Sequence, residues 1–209
     1  MRWRTEKSVI RILGIVLACV TLIGLGTQID RGLSVREVEA LRSEYPVYSG
    51  MPVGLEMRHC SVEECKQIVD TFIYGEIVGS ANLYEVEVSL HEEELEKKRE
   101  ENGLSNSFDF LEYSVRVISD TEGIYQEDDV ITISVNSIFK DYQPEMVEGM
   151  KLIIPTKQSS DQEGLNYYII DGMFYVTEQE YAISVCDESK ARRSLSGLPV
   201  QALMKELKK

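Results

Sequence analysis

The sequence predicts a mainly β protein with flanking helices: a small, partly open β-barrel of five or six strands, preceded by an N-terminal transmembrane helix. Three observations lead to this fold class. Apolar and polar residues alternate in several runs after residue 71, which is the period of strands with one buried face. Two Ser-X-X-Glu segments mark helix starts before those strands. An uncharged stretch, residues 12–26, follows four basic residues, as in membrane anchors and signal sequences.

The uncharged stretch reaches 18 residues when it is continued to residue 29, and roughly 17 to 25 apolar residues span a bilayer. We therefore predict a retained transmembrane helix or signal anchor over 12–29. Two alternatives stay open: secretion after signal cleavage, because small residues precede Thr27, and lipid attachment at Cys19. Basic residues remain on the cytoplasmic side. Residues 1–11 should thus be the cytoplasmic tail of a single-pass cell-membrane protein whose domain lies outside.

The chain after this stretch is strongly acidic. Of 22 basic and 36 acidic residues, four basic and one acidic precede residue 12, which leaves a net charge of −17 for the rest. Nucleic-acid binding is not expected, since it needs clustered Lys and Arg. The remaining length suits one domain with a core. We predict a stalk with a short helix and an extended connector over 30–60, and a barrel domain over 61–209.

Helices are predicted at three places. Capping boxes, in which a serine and a glutamate bond each other's backbone N–H groups, open helices at 34–37 and 61–64. The first should run to about Tyr45 and the second should end near Asp70. In the second helix, the residues expected to face the core are Val62, Cys65, Ile68 and Val69. Pro199 suits the first turn of a terminal helix, whose apolar stripe is Val200, Leu203, Met204 and Leu207.

Strand patterns fill most of the chain between these helices. The first pattern is long and contains Gly75 and Gly79, where a sheet can bend or bulge. The charged run 91–101 interrupts the strands and is expected to be a solvated helix or a charged loop. Further strands are predicted around 111–117, 131–135, 148–155 and 181–185, and the third of these should end at Pro155.

The segment "NYYIIDGMFYV" predicts a hairpin. Asp171-Gly172 between two alternating runs is a typical two-residue turn. It would place Tyr168 opposite Tyr175 and Tyr167 opposite Val176. Both faces of this hairpin carry apolar or aromatic residues, so the Tyr168 and Tyr175 side is either covered by another element or presented to a partner. We take Tyr168, Tyr175 and Tyr167 as the candidate binding surface.

Sites for catalysis, metals or cofactors are not indicated. His59, Cys60 and Cys65 supply only three soft ligands, whereas structural zinc needs four. The acidic turn from Asp120 to Asp129 lacks the ligand spacing of a calcium loop. Cys60, Cys65 and Cys186 are an odd number of cysteines; one disulfide among them remains possible outside the cell. We therefore expect no enzyme activity and no cofactor.

Several segments carry a resemblance to a known group. In order, "SVEECKQIVDTFIYGEIVG", "YSVRVISDTEG", "DDVITISV", "EGMKLIIP" and "YIIDGMFYV" resemble the extracytoplasmic domain of uncharacterised, membrane-anchored or secreted proteins of Gram-positive bacteria. The resemblance implies a barrel of the oligonucleotide/oligosaccharide-binding (OB) type. Netrin-like modules and tissue inhibitors of metalloproteinases share that barrel type. Their metal-chelating N-terminal cysteine has no counterpart here, so no functional residue is transferred.

Two kinds of function follow as expectations. In the first, the protein is a membrane-tethered, extracytoplasmic, non-catalytic binding module of the cell envelope, which meets an envelope protein, a peptide or a glycan. In the second, it is an accessory or scaffold subunit of an envelope transport or secretion complex, and the membrane segment 12–29 is part of the contact.

Overall fold

The computed structural model describes residues 31–49, 60–87, 93–103, 107–160, 162, 164–186 and 194–209. The predicted anchor at 12–29 and both histidines lie outside these residues. Within the described part, no helix is both long enough and apolar enough to cross a bilayer. The chain divides into two units, Met1–Gly32 and Leu33–Lys209.

The second unit is mainly β, as predicted. Its described helices are α1 (Val35–Leu41), α2 (Val62–Ile68), α3 (Glu93–Glu101), α4 (Val200–Leu207) and a 3-10 helix (Ser137–Tyr142). Its described strands are β1 (Thr71–Ile77), β2 (Asn82–Glu87), β3 (Ser107–Asp120), β4 (Val130–Asn136), β5 (Lys151–Gln158), β6 (Leu165–Tyr168), β7 (Phe174–Val176) and β8 (Ala182–Ser184). Both predicted capping boxes are present, at α1 and α2.

Five strands form a closed barrel. β1 pairs with β3, β3 with β4, β4 with β6, β6 with β5, and β5 with β1 again. All pairs are antiparallel except β4 with β6. The prediction of a partly open barrel was therefore wrong in this respect. β1 closes the barrel because it pairs with β5 over six positions, from Thr71 opposite Thr156 to Glu76 opposite Lys151.

The glycine-bent first strand is confirmed. β1 and β2 both pair with β3, one after the other, and Gly79 at φ +97° lies in the bend between them. The pairing of β1 with β3 shifts register between Tyr74 and Gly75. A Cβ on Gly75 would collide with Cγ1 of Val115 and would lie 2.9 Å from the carbonyl oxygen of Arg116. The close approach of the two strands at this bulge thus requires glycine.

The predicted end of a strand at Pro155 was wrong, since β5 continues to Gln158. On one edge β5 pairs with β1, and on its other edge β6 pairs with 156–158 and β7 with 152–153. Pro155 lies at the gap between β6 and β7. Its carbonyl accepts a hydrogen bond from the N–H of Ile169, and its missing N–H falls where the ladder is already interrupted. Proline is therefore tolerated inside this strand.

The hairpin predicted at Asp171-Gly172 was also wrong. A turn is present, with a bond from the N–H of Met173 to the carbonyl of Ile170. Gly172 has φ +84°, but Asp171 is not among the described residues with positive φ. This is the type II pattern, and not the type I′ turn of a tight hairpin. β6 and β7 do not pair with each other; both run antiparallel to β5 along one edge.

Two apolar clusters hold the unit together. The first fills the barrel, with residues such as Ile73, Val115 and Ile133. The second lies outside β1, β5 and β7, where α2 and α4 cover the sheet. The stripe of α4 is confirmed at Val200, Leu203 and Leu207, which are buried. In α2, Ile68 was expected to face the core but is 43% exposed, because that helix ends in an extended cap at Val69, which turns inward in its place.

The predicted stalk helix packs on the barrel unit. Val38 of α1 is buried in the barrel cluster. The N–H of Leu33 donates to the carbonyl of Gly197, and the guanidinium of Arg42 donates to the carbonyl of Ser184 at 2.7 Å. The charged run 91–101 contains α3, so the helical alternative is the observed one. Residues 33–48 thus belong to the same unit as the strands.

Candidate binding surface

The outer face of β2, β3, β4 and β6 carries aromatic side chains. In β3, the odd-numbered residues 111–117 are buried in the barrel, so Phe108 and Phe110 point outward because side chains alternate along a strand. Tyr84 lies opposite Phe110, and Val86 opposite Phe108, in the pairing of β2 with β3. The register therefore gathers aromatic and apolar side chains on one exterior face.

Three rings form a continuous row on this face, which we call the aromatic row: Tyr84, Phe110 and Tyr167. The ring centres of Tyr84 and Phe110 are 5.8 Å apart, and those of Phe110 and Tyr167 are 6.2 Å apart. Tyr167 is 40% exposed, and the adjacent Phe108 is 43% exposed. Tilted rings at these separations support one another and leave part of each ring surface available to a ligand.

A buried serine, Ser134, holds Tyr84 of the aromatic row in place. The hydroxyl of Ser134, on the outer side of β4, donates to the carbonyl of Leu111 at 3.1 Å. Its single hydrogen is thereby used, so the hydroxyl of Tyr84, 2.9 Å away, must be the donor in their shared bond. Burial raises the pKa of Tyr84 above its ordinary value. The row is thus held by hydrogen bonds as well as by ring contacts.

The three predicted site residues are separated by burial. Tyr167 lies in the exposed row, whereas Tyr168 and Tyr175 are 4% and 3% exposed. The hydroxyl of Tyr168 donates to Oε1 of Gln143 at 2.6 Å, and that of Tyr175 donates to the carbonyl of Pro46 at 3.1 Å. Tyr168 and Tyr175 are therefore covered by other elements, the first of the two alternatives, and do not form a surface.

Tyr84 and Phe110 were not predicted as site residues from the sequence. The apolar face of the segment around Tyr84 suits a core face, but β2 pairs with β3 alone among the described strands and lies beyond the closed ring of the barrel. The sequence did contain one signal. Phe108 and Phe110 alternate with the core residues of β3, so they lie on the outer face of that strand together with Glu112 and Arg116. Aromatic residues on an otherwise polar strand face indicate a contact surface.

A cleft lies on the opposite side of the β2–β3 pair. Its volume is about 700 Å³, and Leu83, Leu111 and Tyr113 contribute apolar surface to its wall. Four charged residues also line it: Asp109, Lys140, Glu145 and Glu148. Three of these four are acidic, so the cleft favours cationic groups. The β2–β3 pair thus separates an aromatic outer face from an acidic cleft.

The acidic turn considered for calcium is organised by its own backbone. The carboxylate of Asp120 accepts bonds from the N–H groups of Gly123, Ile124 and Tyr125 at 2.8, 2.7 and 3.3 Å. The carboxylate of Asp129 accepts one from Gln126 at 2.9 Å. These oxygens therefore stabilise the turn. Among the described residues there is no group of three or more His, Cys, Asp or Glu side chains placed to hold a metal ion.

The cysteines of the described chain carry thiols and form no disulfide. The thiol of Cys65 lies 3.5 Å from the carbonyl of Asp171, and the N–H of Cys60 donates to the carboxylate of Asp171 at 2.6 Å. Both contacts fix α2 against the Asp171-Gly172 turn. They explain why this turn is part of the core and does not project as a hairpin tip.

No protein-family model matches the chain, and no curated protein is significantly similar to it.

Proposed function

We propose that the protein is a membrane-tethered, extracytoplasmic, non-catalytic binding module, and that it meets its ligand through the aromatic row. The observation that carries the proposal is the row of connected rings on a sheet face that no described helix covers, in which Tyr167 is 40% exposed and Phe110 is half-buried. Connected aromatic surface of this kind is typical of contact sites. The ligand is an envelope protein, a peptide or a glycan.

The connectivity of the barrel supports the same surface. The five barrel strands are β1, β3, β4, β5 and β6, which we number 1 to 5 in chain order. Around the barrel they follow one another in the order 1-2-3-5-4-1, and the one parallel pair joins strands 3 and 5. We assign it to the OB type, in which the face of the second and third barrel strands, with the adjacent loops, contacts ligands. Those strands are β3 and β4 here. Phe110 lies on that face, and β2 belongs to the connection beside it.

The proposed location rests on the charge pattern of the sequence. Four basic residues before the apolar stretch at 12–29 favour a cytoplasmic N-terminus. The acidic character of the remaining chain supports an exterior body that stays away from anionic lipid head groups. In this arrangement the membrane segment serves as the tether, and the barrel unit presents the aromatic row outside the cell.

The proposal is tested by substituting the centre of the row. Phe110→Ser should reduce capture of the protein's partner from cross-linked cells several-fold and leave the melting temperature within a few degrees of wild type, because the ring is only partly buried. Partners are identified by mass spectrometry with wild type as bait. Val35→Ser is the matched control, since Val35 is 78% exposed on α1, away from the row. Equal capture by wild type and Phe110→Ser contradicts the proposal.

The accessory-subunit alternative is distinguished by a truncation. If the chain from Ser34 onward captures the same partner as the full-length protein, the module is sufficient for binding. If capture requires the membrane segment, the scaffold alternative replaces the module proposal.

A further inference from the structure

One edge of the strand β2 pairs with no other strand in the described part of the chain. One side of β2 pairs with β3 from Asn82 opposite Glu112 to Glu87 opposite Ser107. No described strand pairs with the other side. In contrast, the edge of β8 is covered, because the N–H of Ala182 donates to Leu198 and its carbonyl accepts from Gly197. β2 is therefore the edge at which the described sheet can take another strand.

The pairing determines which backbone groups point outward from β2. The N–H and carbonyl of Val117 bond to residues 128–129 before β4, and the carbonyl of Ser114 accepts from Val78 on the side of β1 and β2. Even-numbered residues of β3 thus bond toward β2. In the antiparallel pair, the β2 residues opposite these even-numbered residues direct their N–H and carbonyl groups toward β3. The β2 residues between them direct their N–H and carbonyl groups away from β3. The N–H and carbonyl groups of Leu83 and Glu85 therefore face the open edge.

The two sides of this edge differ in chemistry. On the outer side are Tyr84 and its ring partner Phe110. On the inner side, Leu83 is 59% exposed at the acidic cleft, and Glu85 lies opposite Asp109, which also lines it. A strand added at the edge would direct alternate side chains to these two sides. Its side chains should therefore be apolar on one side and basic on the other.

We propose that the edge of β2 binds an extended peptide segment in which basic and apolar residues alternate, an inference that rests on the proposed binding function. The peptide backbone bonds to Leu83 and Glu85, its apolar side chains pack on the aromatic row, and its basic side chains enter the acidic cleft. This is strand addition, in which the main chain supplies affinity and alternate side chains supply specificity. A second copy of this chain fits less well, because its own Glu85 would bring an acidic side chain to the edge.

The test uses the full-length protein in detergent micelles and a fluorescent octapeptide of alternating Lys and Val, with binding followed by anisotropy. This probe should bind at least about tenfold more tightly than an octapeptide of alternating Glu and Val, or than one with Lys-Lys-Val-Val blocks. Affinity for the alternating Lys and Val peptide should fall as salt is added. A hexamer of β-1,4-linked N-acetylglucosamine tests the glycan alternative in competition.

Glu85→Pro is the deciding variant, because proline at an outward-facing position of an edge strand removes a donor without breaking the β2–β3 ladder. It should weaken peptide binding about tenfold or more, whereas Glu85→Ala, which keeps the N–H, should weaken it only a few-fold. Amide hydrogen exchange on the wild-type protein tests the same backbone contacts without a substitution. Peptide binding should slow exchange at Leu83 and Glu85, which the inference requires to become bonded.

The inference is overturned if Glu85→Pro remains folded and binds the peptide like wild type, or if exchange at those two amides is unchanged. Preference for the hexasaccharide over the peptide, or dimerisation of the protein through this edge, also overturns it. These results are separable from the proposed function. Loss of partner capture by Phe110→Ser together with normal capture by Glu85→Pro retains the aromatic surface and rejects strand addition.

Discussion

Tyr167 and Tyr168 are neighbours in β6 with different roles, because adjacent side chains of a strand point to opposite faces. Tyr167 joins the aromatic row outside the barrel. Tyr168 lies inside, edge-on to Tyr113 with ring centres 6.5 Å apart, and its hydroxyl bonds to Gln143. Gln143 is itself buried, and its Nε2 has no hydrogen-bond partner in the described part of the chain. The hydroxyl of Tyr168 thus supplies the hydrogen bond that satisfies Oε1 of this buried glutamine.

Tyr168→Phe should destabilise the fold by about 1–3 kcal/mol, because it leaves the buried Oε1 of Gln143 without this donor. The measurement is urea unfolding followed by far-UV circular dichroism. Tyr167→Phe is the matched control and should change the free energy of unfolding by less than about 0.5 kcal/mol. An equal effect of the two substitutions would show that the Tyr168–Gln143 bond does not stabilise the core.

Stability should also fall at alkaline pH. Burial raises the pKa of Tyr168 well above that of an ordinary tyrosine, and the pKa of Tyr175 is raised for the same main reason. The unfolded chain releases these protons near pH 10 while the folded chain retains them, so the stabilisation is complete below that pH and is lost as pH rises toward the folded pKa values. Each such tyrosine contributes a slope of about 1.4 kcal/mol per pH unit.

Urea unfolding at pH 8, 9, 10 and 11 checks this dependence. The fall in unfolding free energy above pH 10 should be shallower in Tyr168→Phe than in wild type. Parallel curves for wild type and Tyr168→Phe would contradict the assignment of this pKa shift to Tyr168.

At the scale of elements, interrupted strands shape the sheet. β1 and β2 follow one another along β3, and β6 and β7 follow one another along β5. Each interruption contains a glycine with positive φ, Gly79 and Gly172. The first interruption carries β2 beyond the barrel, which produces both the aromatic outer face and the open edge. The second carries β7 under the helices α2 and α4.

Gly75→Ala should destabilise the barrel by about 1–3 kcal/mol, because the new methyl group would collide with Val115 and with backbone of β3. Gly149→Ala is an informative comparison. Gly149 has φ +83°, and a methyl group added there would meet no atom within 4 Å, so that substitution costs only about 1 kcal/mol of backbone strain. Thermal unfolding of both variants measures the difference. A smaller loss in Gly75→Ala than in Gly149→Ala would contradict the close packing at the bulge.

Local patterns predicted elements better than pairings. Both capping boxes, the bend near Gly79 and the apolar stripe of α4 follow from side chains within one or two turns or strands. The course of the chain after Asp171-Gly172 does not follow from such local patterns. It depends on the pairing of both β6 and β7 with the same edge of β5. Pro155 illustrates the same limit: whether a proline ends a strand depends on which partner would have received its N–H.

At the scale of the whole molecule, coverage of the sheet is one-sided. Helices α2 and α4 bury the outside of β1, β5 and β7, and no described helix covers the aromatic row. Such a row could not be predicted from alternation alone, since the same pattern at Tyr84 would suit a core face. Alternation along β3 places Phe110 outside, but only the register of β2 against β3 decides that Tyr84 lies beside it. The candidate site was thus predictable in one residue, Tyr167.

The proposed topology makes a prediction for the whole chain. Protease added to intact, wall-stripped cells should digest the acidic body and leave an N-terminal fragment that includes residues 12–29 in the membrane. In the proposed topology, the basic N-terminal tail keeps that end inside. A tag on residue 1 and immunoblotting follow the fragment. Protection of the body in intact cells, followed by digestion after lysis, would contradict an exterior location.

The most direct measurement of the central claim is photo-cross-linking in living cells from single positions of the barrel unit. A photoreactive phenylalanine analogue is placed at Phe110 in one strain and at Val35 in another, and the cross-linked species are compared on gels. A discrete adduct from position 110, absent from position 35, is the predicted result. Adducts of equal yield from both positions, or from position 35 alone, would contradict the claim that the aromatic row is the binding surface.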